Sequence, residues 1–306
     1  MGDFLQSVVN LIDPYLMQII INIGLAIIMA LGLNLITGVT GQLSLGHAAF
    51  MSIGAFTGAI LTIHFKMPFL PNLFLSGLTA ALAGVLIGFP TLRLSGDYLA
   101  ITTLGFAEIV KVIFLNLKVT NRALGLSVPL PQTSIPLFFY VWIIAGLTIF
   151  AMVFIENSRI GRAFKAIRED EIAAEAMGVN STRYKVQAFA IGAFCAGLGG
   201  SLYAHVIAFI GPSDFGFLKS VDFLSMTVLG GLGSIPGAIL GASLLAVSLE
   251  FLRFMQQYRM LFYGALLVFL MIFRPNGILG GINFKQLVIK TFKSLLKDSK
   301  NKSPML

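Results

Sequence analysis

The fold is decided by residues 156–185, ENSRIGRAFKAIREDEIAAEAMGVNSTRYK, because this stretch differs from the sequence on both sides of it. It holds 11 of the chain's 34 charged residues, and its flanks are apolar enough for lipid. Each ionised side chain at the centre of a bilayer costs about 2.5–3.5 kcal/mol even on the lenient insertion scale. The stretch must therefore lie outside the hydrocarbon core, and its flanks predict a polytopic membrane protein whose main polar surface is one internal loop.

The overall composition supports this class. Of the 306 residues, 57% are hydrophobic and only 11% are charged, with a mean hydropathy of +0.91, whereas a soluble domain is about a quarter charged. The net charge is +8, and the basic residues concentrate in the internal loop and in the tail after Arg274. Nucleic-acid binding needs a basic face on a folded domain, so membrane topology and contact with lipid headgroups explain the charge instead.

Nine apolar runs predict the transmembrane helices: 15–36, 47–63, 70–90, 96–117, 136–155, 186–210, 220–232, 236–253 and 258–273. They are too long and too uniformly apolar for the alternating strands of a barrel. The predicted fold is therefore all-α, a polytopic integral membrane protein of about nine transmembrane helices with glycine-broken segments. The two runs between 220 and 253 lie close together and could form a re-entrant pair instead of two full spans.

The distribution of Lys and Arg predicts the orientation. By the positive-inside rule the internal loop and the basic tail are cytoplasmic, and the four spans between them agree in parity. Five spans before the loop then place the N-terminus outside. The predicted organisation is a short external N-terminus at 1–14, a first transmembrane half at 15–155, the cytoplasmic loop at 156–185, a second transmembrane half at 186–273 and a basic cytoplasmic tail at 274–306.

Two segments interrupt the helical pattern with glycine and polar residues: 37–47 (TGVTGQLSLGH) and 230–237 (GGLGSIPG). Backbone that leaves a helix at membrane depth must be satisfied by protein or by a water-filled cavity, and glycine-interrupted spans in both halves of a transporter point to its transport path. The first segment supplies three candidate substrate-path residues, Gln42, Ser44 and His47. A hydrogen bond from His47 could also hold the segment. The alternative is that both segments are ordinary tight turns at the membrane face.

Glu108 is the fourth candidate substrate-path residue. It lies about 16 Å along its predicted span, near the middle of a bilayer about 30 Å thick, where a carboxylate is functional by default. Lys111 is one turn later and could neutralise it in a purely structural pair. His47, His64 and His205 lack the clustered ligands of a metal site, so no bound metal is predicted.

Small residues recur every four positions in three stretches of the sequence. Faces of this kind let two helix backbones approach closely, so they predict helix packing and no chemistry. The glycines of these faces are Gly54, Gly58, Gly192, Gly200, Gly233, Gly237 and Gly241.

The internal loop has the pattern of an amphipathic helix. Between 161 and 177 apolar residues recur at roughly helical spacing. Gly178 can end this helix in the left-handed conformation. Asn180 or Ser181 can then cap the next span.

The charges of this helix indicate a partner. Lys165 can pair with Glu169, and Arg168 with Glu171, along the helix surface. Glu171 and Glu175 are like charges one turn apart, which is mildly destabilising and is easiest to understand if a partner protein supplies cations. The alternative is a solvated amphipathic linker that rests on the lipid headgroups.

Enzyme chemistry has little support in the sequence. The motifs G-x-S-x-G, H-E-x-x-H, C-x-x-C and G-x-x-x-x-G-K-[ST] are all absent. The chain is therefore predicted not to be an enzyme, to carry no cofactor and not to bind ATP itself through a P-loop. The single cysteine, Cys195, excludes an internal disulfide.

Five stretches in chain order carry a family resemblance. They are GLNLITGVTGQLSLGHAAFMSIGA (32–55), SGDYLAITTLGFAEIVKV (95–112), GRAFKAIREDEIAAEAMGVN (161–180), GGLGSIPGAILGA (230–242) and RPNGILG (274–280). Together they resemble the permease subunits of branched-chain amino-acid ABC transporters, in particular the LivM-like members, over nearly the whole chain.

The resemblance implies a set of partners and a location. Permeases of that family pair with a second homologous permease, two cytoplasmic ATP-binding subunits dock on coupling helices, and an external solute-binding protein delivers the substrate. The location implied is the cytoplasmic (inner) membrane of a bacterium or archaeon. The helix that contains 169–178 would be the coupling helix, with the partner-coupling residues Arg168, Glu169, Asp170, Glu171, Glu175 and Gly178.

The expected function is a permease subunit of an importer that moves branched-chain or related hydrophobic amino acids into the cell by ATP-driven alternating access. A similar ABC system for urea or short amides is the main alternative, since selectivity lies largely in the binding protein. An ion-coupled secondary transporter with Glu108 as carrier is a second alternative, and it predicts uptake by this chain alone. A polytopic lipid-modifying enzyme would need a clustered catalytic set, which the sequence does not contain.

Overall fold

The structure is a computed structural model that describes residues 14–91, 94, 96–129, 134–251, 264–265, 268 and 277–279. These residues are predominantly helical, as the long apolar runs predict. The α-helices are α1 (Pro14–Leu33), α2 (His47–Phe65), α3 (Phe69–Thr91), α4 (Asp97–Asn116), α5 (Ser134–Asn157), α6 (Arg159–Glu169), α7 (Glu171–Ala176), α8 (Ser181–Ile207), α9 (Phe217–Gly230) and α10 (Ile235–Phe251). A π-helix, Asn34–Val39, continues α1.

Six of these helices are long and apolar enough to cross a membrane: α1 with its π-helical extension, α2, α3, α4, α5 and α8. They coincide with the first six predicted spans, and the chain is a multi-pass membrane protein. The helix α9 has 14 residues, about 21 Å, and is therefore shorter than a hydrocarbon core of about 30 Å. The helix α10 is described from Ile235 to Phe251, where the described residues stop. The ninth predicted span, 258–273, lies almost wholly outside the described residues, as do 1–13 and most of the tail.

The helix α8 packs along α2 and α3 at the centre of the bundle. Glycine makes these approaches close, because a methyl group at each such position would collide with the facing helix. Between α8 and α2 the facing pairs are Gly54 with Gly197, Gly58 with Ser201 and Gly200 with Met51, and Gly192 of α8 faces Gly32 of α1 in the same way.

The helices α9 and α10 form an antiparallel pair whose contact is also lined by glycine. Gly237 and Gly241 of α10 lie against Gly230 at the end of α9. Gly233 does not belong to this helix face, contrary to the sequence prediction, because it lies in the turn between the two helices with a φ of +83°. Glycine adopts this left-handed backbone without the steric cost that a side chain would bring.

The carbonyl groups at the end of α9 receive hydrogen bonds from a distant part of the chain. The backbone N–H of Ile278 donates to Leu229 at 2.9 Å, and that of Leu279 donates to Gly230 at 3.1 Å. The last carbonyls of a helix have no partner within it, so this fragment satisfies them and ties the RPNGILG stretch to α9.

Two short strands join the loops at one end of the bundle. They are β1 (Leu126–Ser127) and β2 (Phe209–Ile210), which pair antiparallel with Leu126 opposite Ile210. The β1–β2 pair connects the segment after α4 to the segment after α8.

The outer faces of α3, α4 and α5 are apolar and exposed. Their exposed large side chains include Leu78, Leu82, Leu86, Phe89, Ile101, Ile109, Ile143, Leu147, Phe150 and Phe154. An exposed apolar area of this extent marks contact with lipid or with another protein, as a helix at the periphery of a membrane bundle requires.

Candidate translocation path and coupling surface

The two glycine-broken segments, far apart in sequence, meet in the structure. The side-chain oxygen of Asn34 accepts the backbone N–H of Gly233 at 2.9 Å, and its amide nitrogen donates to the carbonyl of Ser234 at 3.4 Å. Gly38 lies directly on Gly233, with no room for a side chain between them. Sequence reasoning missed Asn34, although a lone asparagine in an apolar span is itself a signal for a buried polar contact.

Arg168 joins the internal loop at 156–185 to this junction. Its guanidinium donates to the Gly38 carbonyl and fills the space that a side chain at Gly233 would need. The aliphatic part of Arg168 lies beside Gly41, which has a φ of +76°. Arg168 is nevertheless exposed overall, so its predicted role in coupling the chain to a partner stays a prediction, while its guanidinium contacts both broken segments.

Residues 40–46 run from this junction into the bundle and are held by three helices. The N–H of Leu45 donates to the hydroxyl of Thr103 on α4 at 3.0 Å. The Nε2 of His47 donates to the carbonyl of Met29 on α1 at 3.1 Å, and the N–H of Ala48 donates to the hydroxyl of Ser220 on α9 at 3.1 Å. The segment and the start of α2 are therefore held by contacts with α1, α4 and α9, and Gln42, Ser44 and Gly46 are buried.

Polar side chains of this segment are buried without hydrogen-bond partners among the described residues. They include both amide atoms of Gln42, the hydroxyls of Thr37 and Ser44, and the Nδ1 of His47. Gln42 is 4% exposed and Ser44 is fully buried. A buried polar group with no partner costs about 1–3 kcal/mol, so this cluster is chemically suited to contact water or a polar solute.

Glu108 lies elsewhere, on α4. Its carboxylate accepts from the ammonium of Lys111 at 3.2 Å, and the two side chains are 46% and 29% exposed. The i, i+3 pair predicted from the sequence is present. Glu108 makes no contact with the Gln42–Ser44 segment in the structure.

The internal loop at 156–185 forms two helices rather than the single amphipathic helix predicted. Asp170 interrupts it with an extended backbone, φ −157° and ψ 112°, and its side chain caps α7 by accepting the N–H of Ala173 at 3.0 Å. An aspartate competes well with the helix for backbone N–H groups, and this is the physical reason for the break. Gly178 has a φ of +85°, the left-handed conformation predicted, and Asn180 caps α8 by accepting from Arg183 at 2.9 Å.

The charges of the loop pair differently from the prediction. Lys165 binds Glu156 at 2.7 Å, not Glu169. Glu171 binds Lys185 of α8, not Arg168. The predicted Arg168–Glu171 pair required one continuous helix. The break at Asp170 removes the one-turn spacing between these two residues.

Glu175 also has a partner within the chain. Glu175 accepts from the hydroxyl of Ser181. Together with the Glu171–Lys185 pair, this bond anchors α7 to the start of α8. The repulsion between the two glutamates, from which a cationic partner was inferred, is therefore offset internally.

The apolar stripe of the loop divides between two environments. Phe164 and Ile167 of α6 are buried against the bundle, whereas Ile172 and Met177 are 82% and 85% exposed. Ile172 and Met177 are thus two exposed apolar side chains at the start and just past the end of α7. We call Ile172 and Met177 the coupling tip.

A cavity of about 240 Å³ lies between α1, α2, α8, α9 and α10. Its wall combines polar and apolar surface in comparable amounts, and Leu25, Met29 and Met226 are among its apolar residues. Two charged side chains, Lys219 and Glu250, also line it, and both interact with other groups of the chain.

Two residues of the cavity wall contact His47 at the end of the first broken segment. Met29 and Phe223 both line it; Met29 accepts the hydrogen bond of His47, and the Phe223 ring lies edge-on to the His47 ring at 6.1 Å. Contacts therefore run without interruption from Arg168, through the junction and the broken segment, to the cavity wall.

Comparison with known proteins places the chain in a family. Residues 15–271 match the family described as the permease component of the branched-chain amino acid transport system. The chain belongs to this permease family. The resemblance carried by the five sequence stretches is thereby confirmed.

Individual relatives agree with the family match. The high-affinity branched-chain amino acid transport system permease protein LivM of Salmonella typhimurium is 40% identical over 285 residues, which cover 83% of this chain and 67% of the relative. The corresponding protein BraD of Pseudomonas aeruginosa is 28% identical over 83% of this chain and 91% of its own length. LivH of Salmonella typhimurium is 36% identical over 46% of each chain. No solved structure matches the chain.

Proposed function

We propose that the chain is a permease subunit of an ABC importer that moves branched-chain or related hydrophobic amino acids into the cell. It works in the cytoplasmic membrane of a bacterium or archaeon, and partner subunits bind and hydrolyse the ATP. The family match and the names of the relatives support the substrate class. LivM and LivH of one organism are both named as permeases of such a system, which supports a second homologous permease as partner.

One observation carries the mechanism: Arg168 connects the cytoplasmic loop to the place where both glycine-broken segments meet. A bond from a guanidinium to a carbonyl is stronger than one between neutral groups. Movement of α6 is thereby transmitted to Gly38 on one side and to Gly233 on the other. Since Asn34 already ties these two segments together, they move as one unit.

Alternating access follows from this connection. ATP-driven closure of the partner subunits shifts α7, whose pairing with Lys185 and Ser181 carries the shift to α8. Through Arg168, α6 moves the broken segment past the cavity wall at His47. Glycine at Gly38, Gly41 and Gly233 keeps the moving backbones close, as expected of broken helices beside a transport path.

The coupling tip is the proposed contact with an ATP-binding subunit. Its two exposed apolar side chains would enter a groove of the partner, while the helix itself is braced from behind by the Glu171–Lys185 pair. Glu171 and Glu175 thus stabilise the conformation of the loop. Ile172 and Met177 provide the binding free energy for the ATP-binding subunit.

The position of Glu108 favours this function over an ion-coupled carrier. The apolar residues of the cavity wall, among them Leu25, Met29 and Met226, are suited to contact an aliphatic side chain. An ion-coupled carrier would require Glu108 on the path, yet Glu108 pairs with Lys111 on α4 and does not line the cavity. ATP-driven uptake by the assembled complex, with an ion gradient as the competing energy source, tests the proposal.

We expect replacement of Gln42 and Ser44 by alanine to lower uptake roughly tenfold, the size of a coupling loss of about 1.4 kcal/mol. Neither side chain has a hydrogen-bond partner in the part of the chain that the structure describes, so complex yield should stay normal. The measurement is substrate uptake per assembled complex. Ser52→Ala is the matched control, because Ser52 is equally buried but bonds only its own helix at Ala49. Wild-type uptake in the double variant would show that Gln42 and Ser44 do not contribute to the transport path.

The orientation is tested by cysteine labelling in intact cells. Cys195 is buried and serves as an unreactive background. A membrane-impermeant maleimide should label Leu124→Cys, since Leu124 is 79% exposed in the predicted external loop. It should label Arg162→Cys on α6 only after the membrane is opened. Labelling of Arg162→Cys in intact cells would contradict a cytoplasmic loop at 156–185.

A further inference from the structure

We propose that the exposed face of α4 is the surface that contacts the second permease subunit. The α4 face consists of residues that share one side of the helix: Tyr98, Ile101, Gly105, Glu108, Ile109 and Val112. The proposal rests on the second homologous permease of the function proposed above, and it adds the surface by which this chain binds that partner.

The α4 face differs from the outer faces of α3 and α5. On those two helices large apolar side chains are exposed at successive turns: Leu70, Phe74, Leu78, Leu82 and Leu86 on α3, and Ile143, Leu147, Phe150 and Phe154 on α5. The α4 face instead places the carboxylate of Glu108, with its partner Lys111, among apolar side chains. Hydrocarbon offers no hydrogen bonds to such groups, so α3 and α5 suit lipid whereas the α4 face does not.

Glu108 lies well inside the membrane span. The helix α4 has 20 residues, so Glu108 is about 16 Å from its start and about 12 Å from its end. Two contacts with the interior bracket it: the Thr103 hydroxyl accepts the N–H of Leu45 at 3.0 Å, and the Phe114 ring stacks on that of Phe56 at 4.4 Å. A glutamate side chain is too short to reach the headgroups from this depth, as Lys and Arg do near helix ends.

The Glu108–Lys111 pair is compensated in charge, but it is not enclosed. The 3.2 Å bond between the two side chains uses one of the three donors of the ammonium and part of the acceptor capacity of the carboxylate. Glu108 remains 46% exposed and Lys111 29% exposed. Ionised groups at this depth almost always face protein or a water-filled cavity. Since the α4 face lies on the outside of the bundle, protein of another subunit covers it.

Gly105 lets that subunit come close. It lies one turn before Glu108 and Ile109, and a methyl group added to it would meet nothing within 4 Å. Within the bundle, Gly54 lies directly against Gly197 of the facing helix. Small residues permit such close approach of helix backbones in membranes. Gly105 therefore offers a second subunit the kind of surface by which α2 and α8 pack.

The partner that fits this surface is a homologous permease. The relatives LivM and LivH are different proteins of one organism, and both are similar to this chain. A homologous partner presents a helix that corresponds to α4. Because both subunits show their internal loops to the cytoplasm, the axis that relates them runs along the membrane normal. Corresponding helices then meet at equal depth, where a polar side chain of the partner helix would bond the Glu108–Lys111 pair.

A photoreactive amino acid tests the contact in native membranes. p-Benzoyl-L-phenylalanine replaces Ile109 on the α4 face and, in separate variants, Leu82 on α3 or Leu147 on α5. These positions are matched, because their side chains are 59%, 61% and 61% exposed. With all subunits expressed, irradiation should crosslink the Ile109 variant to the second permease, identified by mass spectrometry. The Leu82 and Leu147 variants should crosslink only to lipid.

Three other products of the Ile109 variant would overturn the proposal. They are a crosslink to lipid alone, to residues 258–273 of the same chain or to a second copy of this chain. The probe at Val112 repeats the test one turn away, in case the bulky group at Ile109 itself separates the subunits. Absence of a crosslink to the second permease from both positions also overturns the proposal.

Two glycine variants test the same face by affinity. Gly105→Leu adds a side chain on the α4 face, and Gly146→Leu adds one at an exposed glycine of α5 where a methyl group would also meet nothing within 4 Å. Leucine is the better helix former, so both subunits should fold at least as well as wild type. Recovery of the second permease in detergent should fall roughly tenfold or more for Gly105→Leu, because overpacking a close contact is unfavourable. It should stay normal for Gly146→Leu, and normal recovery with Gly105→Leu would contradict the proposed contact.

Failure of this surface remains distinguishable from failure of the proposed function. Co-purification of the second permease and ATP-driven uptake are measured on the wild-type complex. If both occur without a crosslink from the α4 face, the surface is wrong and the importer stands. An active complex that lacks a second permease overturns the surface as well, whereas absence of ATP-driven uptake removes the importer itself.

Discussion

Substitution of Arg168 by methionine should lower uptake by the assembled complex roughly tenfold, within the range of about 5- to 150-fold that a coupling free energy of 1–3 kcal/mol represents. The variant keeps the aliphatic contact with Gly41 but loses the hydrogen bond to the Gly38 carbonyl. ATP-binding subunits should still be retained, because the coupling tip is intact. The specific signature is ATP hydrolysis that no longer responds to the loaded binding protein. Uptake and stimulated hydrolysis are measured on the same reconstituted complex.

Two variants control for the charge and for the helix. Arg168→Lys restores a cation and a donor but not the planar guanidinium, so its uptake should lie between those of wild type and Arg168→Met. Arg162→Met removes an exposed cation from the same helix and should transport normally. If Arg168→Met transports at the wild-type rate with normal stimulation of hydrolysis, the junction at Gly38 is not the route between the loop and the path.

Introducing an aspartate at the coupling tip should release the ATP-binding subunits. Ile172→Asp and Met177→Asp each replace an exposed apolar side chain, so the isolated permease should be as stable as wild type. In the complex each loses about 1.5–3 kcal/mol of apolar burial and places a charge in the partner's groove. We expect the ATP-binding subunit recovered per permease in detergent to fall at least about tenfold.

The choice of Ile172 and Met177 follows from the internal contacts of the glutamates. Reversing Glu171 and Glu175 would break their bonds to Lys185 and Ser181 and so change the loop itself. Thr182→Asp is the matched control, since it adds the same charge at an exposed site beside the loop. Full recovery of the ATP-binding subunit with Ile172→Asp and Met177→Asp would contradict the proposed contact and favour a solvated linker.

The hydrophobic pattern was sufficient for the individual helices because each membrane span must bury its own backbone and show lipid an apolar surface. The first six predicted spans and the helix end at Gly178 could therefore be predicted locally. The apolar pattern did not predict the helix break at Asp170, where the aspartate side chain caps α7 and ends α6. It also failed for Gly233, which was assigned to a helix face but supports a left-handed turn.

The candidate site depends on contacts that no local pattern contains. Sequence reasoning singled out both glycine-broken segments, yet it could not show that Asn34 joins them or that the Arg168 guanidinium contacts both. Lys219 and Glu250 belong to different helices, and only the packing of α9 on α10 brings them to one cavity. Pairings between distant residues are set by tertiary structure, so they become visible only once the helices are assembled.

The central claim is that this chain forms the path of an ATP-driven importer, and uptake of labelled L-leucine into proteoliposomes tests it most directly. The chain is purified with the subunits it retains and reconstituted with loaded binding protein outside and ATP inside. We predict that uptake requires internal ATP and all partner subunits, and that it is unaffected when proton and sodium gradients are collapsed. Uptake by this chain alone, driven by an ion gradient without ATP, would contradict the account.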